Sequence, residues 1–449
     1  MNIRKMKLVF AALLITAVTN AQQQRFKFDF CKSDAAKGYT AVTPETLYSD
    51  ATGYGFLKND GVEVKTAVAS KDKKITDDYI TAPGPFFFSV KIPEGNYDVK
   101  VTLGDMAGTS ATTVRAECRR LFLKNLVTKN GETKTVTFTV HVKDSLIRDA
   151  KGNIVDKVKL KSREVTYFHW DNQLTLEFSD TAAKVCAVEI TPNTTATTIF
   201  LSGNSTVVDQ DREPWASWGQ MLPSFFEPSN ICVANYAESG ETLSSFKGAK
   251  RLKKLLSLMK PGDYLFIEFG HNDQKQKGEG IGPFTSYKAD LKYFINEVRQ
   301  KGGTPVLVTS MNRRSFDSTG HITNTLGDYP EAVRQTAKEE NVALIDLNAM
   351  SKIMYEAWGP VKSVNAFVHY PANTFPGQDK KLEDNTHFNT YGAYEICRCI
   401  VQGIKEDQLP IAKYLKNNIP AFDPAHPDGV GTWYWPQSVL MAAVKPDGN

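Results

Sequence analysis

The feature that most restricts how this chain can fold is a change of rhythm at residues 192–197, Pro-Asn-Thr-Thr-Ala-Thr, a small and polar stretch with the composition of a linker. Before it, apolar runs are short, alternate with polar residues and favour β-branched and aromatic side chains. Strands are expected at 26–30, 86–92, 97–103, 114–122, 135–141, 174–178 and 185–190, separated by turn signals such as Pro93-Glu94-Gly95-Asn96 and Asn130-Gly131. No convincing amphipathic helix interrupts them, so the first half reads as an antiparallel β-sandwich, with a charged, ambiguous insertion at 144–163.

After the linker, apolar strands alternate with helix-spaced segments. Strands are expected at 198–201, 231–235, 264–269, 305–309 and 342–345, and helices at 244–259, 284–300, 329–340 and 391–405. Alternating β and α units require a parallel sheet covered on both faces, an α/β/α three-layer, flavodoxin-like domain. Ligands of such sheets bind at the C-terminal strand ends, so the site is sought just after each strand. A chain of 449 residues is too long for one compact core, and two domains are expected.

Arg4, Lys5 and Lys7 precede an apolar run from Leu8 to Val18 and then Thr19-Asn20-Ala21, the pattern of a secretory leader cleaved near Ala21. The expected division is therefore a leader at 1–21, a sandwich at 22–192 and an α/β domain with a C-terminal tail at 193–449, exported to the periplasm or beyond. The net charge of +4 owes most of its excess to those leader residues. No field is left to argue for nucleic acid, and the apolar run is too short to span a bilayer. Six cysteines, three in each half, show no CxxC or Cys/His spacing and read as buried free thiols.

The positions after the expected strands hold Gly203-Asn204-Ser205, Ala237-Glu238-Ser239-Gly240 and Gly270-His271-Asn272-Asp273, while Asp384-Asn385-Thr386-His387-Phe388 stands before the last helix. Ester hydrolysis needs a hydroxyl nucleophile, an imidazole to carry its proton, a carboxylate to orient the imidazole, and donors for the oxyanion. All four are present. Each block alone is unspecific, and a serine after a strand is ordinarily a turn residue or helix cap.

Four such blocks in this order resemble those of the SGNH (GDSL-type) hydrolases, and residues 198–409 resemble the rhamnogalacturonan acetylesterases of carbohydrate esterase family 12. The sandwich resembles galactose-binding-like modules. The resemblance implies Ser205, His387 and Asp384 as catalytic residues, and the backbone N–H groups of Ser205 and Gly240 with the Asn272 amide as the oxyanion hole. It further implies an acetylated polysaccharide or oligosaccharide as partner and no cofactor. Two positions depart from the family pattern: Asn204, where aspartate is common, and Glu241-Thr242, where many relatives carry a basic residue.

Other residues carry weaker readings. His271 reads as structural, and no histidine pair has metal-ligand spacing on one element, so a metal site is not expected. Arg313, with Arg314, stands after the fourth strand, where paired N–H donors suit a uronate carboxylate, although ion pairing within the protein serves equally. Trp215, like Trp218 and Trp433-Tyr434-Trp435, offers a face for sugar stacking against the commoner role of core packing. The expectation is thus a metal-free deacetylase of pectin, rhamnogalacturonan first. Its alternatives are an esterase of xylan acetyl groups or lipid, and a glycan-binding protein without activity. The oligomeric state is left open.

Overall fold

The computed structural model describes residues 25–58 and 61–441. The leader stretch at 1–21 lies outside them.

The first half forms two facing sheets. One is five-stranded and antiparallel, in the order Tyr54–Phe56, Phe86–Lys91, Gln173–Ala182, Ser110–Ala116, Arg120–Thr128. The other is built around Phe26–Phe30, Val185–Pro192, Gly95–Asp105 and Glu132–Val142. Strand residues facing inward from both sheets, including Phe28, Phe30, Phe88, Val101 and Leu176, close a core in which the Phe30 and Phe88 rings meet edge to face, 5.1 Å apart. The strand expected at 114–122 is in fact two. Glu117 and Arg119 adopt φ of +56° and +60°, which turns the chain there and splits the run.

The second half is the expected three-layer domain. Its parallel strands follow the order Ala343–Ile345, Thr304–Val308, Tyr264–Glu268, Thr197–Gly203, Ile231–Asn235. Alternation sorts their side chains: Ile199, Leu201 and Phe266 pack with the Thr390–Glu406 helix on one face, while Phe200, Leu265 and Leu307 pack with Leu255, Phe294 and Val333 on the other. The helix expected at 244–259 is broken into Leu243–Gly248 and Arg251–Leu258, because Lys250 sits at φ +65°. The Leu347–Lys362 helix and the hairpin of Phe367–Tyr370 with Leu382–Phe388 were not among the expected elements.

The two halves share one sheet. Val140 of the sandwich pairs in parallel with Val233, so a single mixed 12-stranded sheet runs through both. Charged side chains are buried where they meet: Arg120 with Asp209 at 3.0 Å, Arg251 with Glu164 at 2.5 Å, Lys254 with Glu94 at 2.6 Å. The C-terminal tail packs on both halves, with Trp435 under the Arg115 guanidinium and donating to Glu213 at 2.9 Å. All six cysteines are buried and free. Among the described residues no helix is long and apolar enough to cross a membrane.

Candidate active site

Three strand ends and one hairpin converge. The Thr197–Gly203 strand ends at a glycine because nothing larger fits: a Cβ on Gly203 would lie 2.5 Å from Val207 Cγ2 and 2.9 Å from the Glu268 carbonyl. The chain then turns sharply. The Asn204 carbonyl accepts from the N–H groups of Val207 and Val208, both at 3.0 Å. Asn204 Oδ1 accepts from the Thr206 N–H at 3.1 Å and the Thr206 hydroxyl at 2.9 Å. An aspartate oxygen would take the same two bonds, so the departure at Asn204 leaves the turn braced.

This turn presents Ser205. Its Oγ lies 2.7 Å from His387 Nε2, and His387 Nδ1 lies 2.7 Å from Asp384 Oδ2. Asp384 and His387 come from the unexpected hairpin, whose ladder is interrupted at this point: Phe367 pairs with Phe388, but the next residue, Val368, pairs with Asp384. Residues 385–387 bulge out, and Asp384 Oδ1 fastens the bulge by accepting the N–H groups of Thr386 at 2.8 Å and His387 at 3.0 Å. Burial alone would raise the Asp384 pKa, but the His387 contact and these two donors outweigh it and hold the carboxyl well below the ordinary range. An ionised Asp384 accepts from Nδ1–H. Nε2 is then the acceptor for the Ser205 hydroxyl.

The 238–241 turn follows the Ile231–Asn235 strand. Gly240 has φ +81°, a conformation glycine adopts without strain. Among the described residues, neither its N–H nor that of Ser205 is taken up by a protein acceptor. Asn272, after the Tyr264–Glu268 strand, donates one Nδ2–H to the Glu241 carbonyl at 3.2 Å, and Lys275 donates to its Oδ1 at 3.3 Å, which fixes the amide and leaves the second N–H. Beside it, Asp273 ties two blocks together by accepting the N–H groups of Leu243 and Gly270, both at 2.9 Å. Asp273 and Glu268 escaped sequence reasoning, although an acid ending the apolar run Tyr-Leu-Phe-Ile-Glu was a readable signal of a buried carboxyl.

Glu268 accepts from Trp218 Nε1 at 2.6 Å and stands 3.1 Å from the Thr206 hydroxyl. Burial pushes its carboxyl up to about 7, and that of Asp273 likewise to about 7. The folded chain therefore keeps two protons that the unfolded chain releases at about pH 4. Where the native state binds more protons, stability falls as pH rises. These two carboxyls therefore contribute a decline between about pH 4 and about 7, against which the buried neutral histidines act, and Glu268→Gln, which keeps the acceptor for Trp218, should remove its share, read as the difference between the midpoint profiles of variant and unaltered chain.

The other candidates fall outside this constellation or are already engaged. Trp215 is 2% exposed and has no open ring face for a sugar, which corrects its expected substrate role. Arg313 donates to the carbonyls of Thr325 and His271, both at 3.3 Å, and so braces the loop carrying Asn272. Arg314 donates to Ser363 Oγ and Asn385 Oδ1. His271 is buried, and burial with the nearby Arg313 charge holds it neutral. Among the described residues no group of three or more His, Cys, Asp or Glu is arranged to hold a metal ion.

The sandwich also contributes, which the sequence did not reveal. Its 117–120 turn grips the loop behind Ser205: Arg120 pairs with Asp209, and Arg119 donates to the carbonyls of Gln210 and Trp215 at 3.1 and 3.0 Å.

Comparison with known proteins places residues 26–156 in the Beta-agarase/YXIM esterase-like, galactose-binding domain-like family and residues 201–393 in the GDSL-like Lipase/Acylhydrolase family. Over 219 residues, 48% of this chain and 93% of the relative, the sequence is 42% identical to rhamnogalacturonan acetylesterase RhgT of Bacillus subtilis. Over 405 residues, 88% of this chain and 94% of the relative, it is 26% identical to the uncharacterized esterase YxiM of the same organism. The crystal structure of the YxiM protein from Bacillus subtilis aligns over 86% of this chain and 99% of that one, with 26% identity and a TM-score of 0.45.

Proposed function

This chain belongs to the GDSL-like lipase/acylhydrolase family, and from that premise we propose that it removes O-acetyl groups from a pectic polysaccharide, with acetylated rhamnogalacturonan the leading substrate. The observation that carries the chemistry is the unbroken relay from Ser205 Oγ through His387 to Asp384, both links 2.7 Å long. The substrate class is supported by the 42% identity to an enzyme named for rhamnogalacturonan acetyl groups.

His387 Nε2 takes the hydroxyl proton as Ser205 Oγ attacks the acetyl carbonyl. The negative charge that develops on the carbonyl oxygen is received by the N–H groups of Ser205 and Gly240 and the second N–H of Asn272, each such donor typically contributing about 3 kcal/mol of barrier lowering. The imidazolium, stabilised by Asp384, returns the proton to the departing sugar oxygen and leaves acetyl-Ser205. Water, deprotonated by His387, then attacks the acetyl group, and acetate is released with Ser205 restored. No step calls on a metal ion or cofactor.

Acetate release is the test, measured on acetylated rhamnogalacturonan, acetylated xylan and a chromogenic acetate ester. The reading expects the highest kcat/KM on rhamnogalacturonan. A preference for xylan would overturn the substrate, and release from none of the three would overturn the enzyme. The leader-like sequence at 1–21 supports export, and N-terminal sequencing of secreted protein should find a start near Gln22.

A further inference from the structure

We propose that Lys161 and Arg163, which belong to the N-terminal half and lie outside both family-matched regions, are positioning residues for hydrolysis because they hold and polarise the peptide that supplies the Gly240 N–H. This rests on reading Gly240 as an oxyanion donor.

The segment Ser162–Thr166 is a single short turn of helix reaching across from the sandwich. Glu164 at its centre is fully buried and fastens it to the α/β domain: Arg251 donates to one carboxylate oxygen at 2.5 Å, and Trp170 donates to the other at 2.9 Å. With the segment fixed, Arg163 within it and Lys161 just before it fall on the 238–241 turn. Arg163 pairs with Glu238 at 2.5 Å and donates to the Ser239 carbonyl at 3.0 Å. Lys161 pairs with Glu241 at 3.2 Å and donates to the same Ser239 carbonyl.

The Ser239 C=O and the Gly240 N–H are the two ends of one planar trans peptide and point in opposite directions. Two cationic donors on the oxygen therefore set the direction of the N–H, in a turn whose glycine would otherwise be free to rotate. They also draw electron density toward the oxygen and strengthen the N–H as a donor, since hydrogen bonds sharing one polar group reinforce each other. Two charge-assisted bonds to this one oxygen are stronger than the neutral turn bond, Glu241 N–H to the Glu238 carbonyl at 3.2 Å, that closes the turn by itself. Glu241, next to the glycine, here recruits a basic residue from the other half of the chain.

The test uses the full chain and a small neutral acetate ester, which is too short to reach a polymer subsite. Arg163→Ala should lower kcat about 10- to 100-fold with KM within about twofold, and Arg163→Ala with Lys161→Gln together should approach the 10²- to 10³-fold loss of a missing oxyanion donor. A boronic acid, whose tetrahedral adduct on Ser205 puts a negative oxygen in the same hole, should lose affinity in parallel, and Arg163→Lys should recover much of both losses. Lys161→Gln, at a side chain 30% exposed, is the milder variant should Arg163→Ala fail to fold. Unchanged kcat and boronate affinity in folded variants would overturn the proposal, as would losses confined to KM on polysaccharide. Failure of the wild type to hydrolyse any acetate ester would instead overturn the functional reading beneath it.

Discussion

Ser205→Ala should lower kcat by about 10⁴- to 10⁶-fold on any acetate ester while the thermal midpoint stays close to that of the unaltered chain. Losses of that size are typical when the nucleophile of a hydroxyl–imidazole pair is removed, because the remaining members cannot work without it. The substitution deletes one oxygen whose described partner is His387 Nε2 at 2.7 Å. It leaves the backbone turn intact, since the bonds that brace it are made by Asn204 and by the Ser205 carbonyl, which accepts from Gln210 at 2.7 Å, and not by the Ser205 side chain. Steady-state kinetics and a melting curve on the same preparation check both halves. A variant retaining more than a few per cent of activity would exclude Ser205 as nucleophile.

Asp384→Asn should lower kcat about 10⁴-fold, with little change in fold. Asparagine keeps the Oδ1 that accepts from Thr386 and His387, so the bulge survives. Its amide, however, replaces the oxygen facing His387 Nδ1 with a donor. The imidazole then carries its proton on Nε2, pointing at Ser205, and has no acceptor for the hydroxyl. The acid side of the stability profile should change as well. Asp384 has a folded pKa held below its unfolded value, so its contribution is fully present above about pH 4 and is lost as pH falls through the lower folded value. The asparagine variant should lack that acid-dependent component, which urea midpoints measured below pH 5 report.

The reach of sequence reasoning followed the range of the interactions involved. The blocks holding Ser205, Gly240 and Asn272 were legible because each follows a strand whose apolar run is visible locally and lies at a C-terminal strand end, while the choice of residue within each block was implied by the resemblance to the SGNH hydrolases. Asp384 and His387 were implied by the same resemblance, but not their hairpin. That hairpin is short, is interrupted by a bulge, and is fixed by Asp384 binding its own backbone, which no periodicity announces. The splits at Glu117–Arg119 and at Lys250 depend on non-glycine residues with positive φ, a choice made by tertiary contacts against local preference.

The sandwich was legible as a fold but not as a neighbour of the site. The bonds from Arg163 to Glu238 and from Arg119 to Trp215 cross 75 and 96 residues of sequence, and charged residues at 144–163 read as an ambiguous insertion until the partner surface is known. At Trp215 and Arg313 the sequence left two roles open. An aromatic behind the Ser205 loop suits a sugar or the core, and an arginine after the fourth strand suits a uronate or a pairing within the protein; burial claims the first and loop carbonyls engage the second.

The central claim, that one serine activated by His387 carries the reaction, is tested most directly by titration with a phosphonate ester that modifies only an activated serine. The account predicts that activity falls linearly to zero at one equivalent, with the label on the peptide containing Ser205 and none on the Asp384→Asn variant over the same time. Full activity after Ser205 is labelled, or full inactivation with the label on another residue, would contradict it.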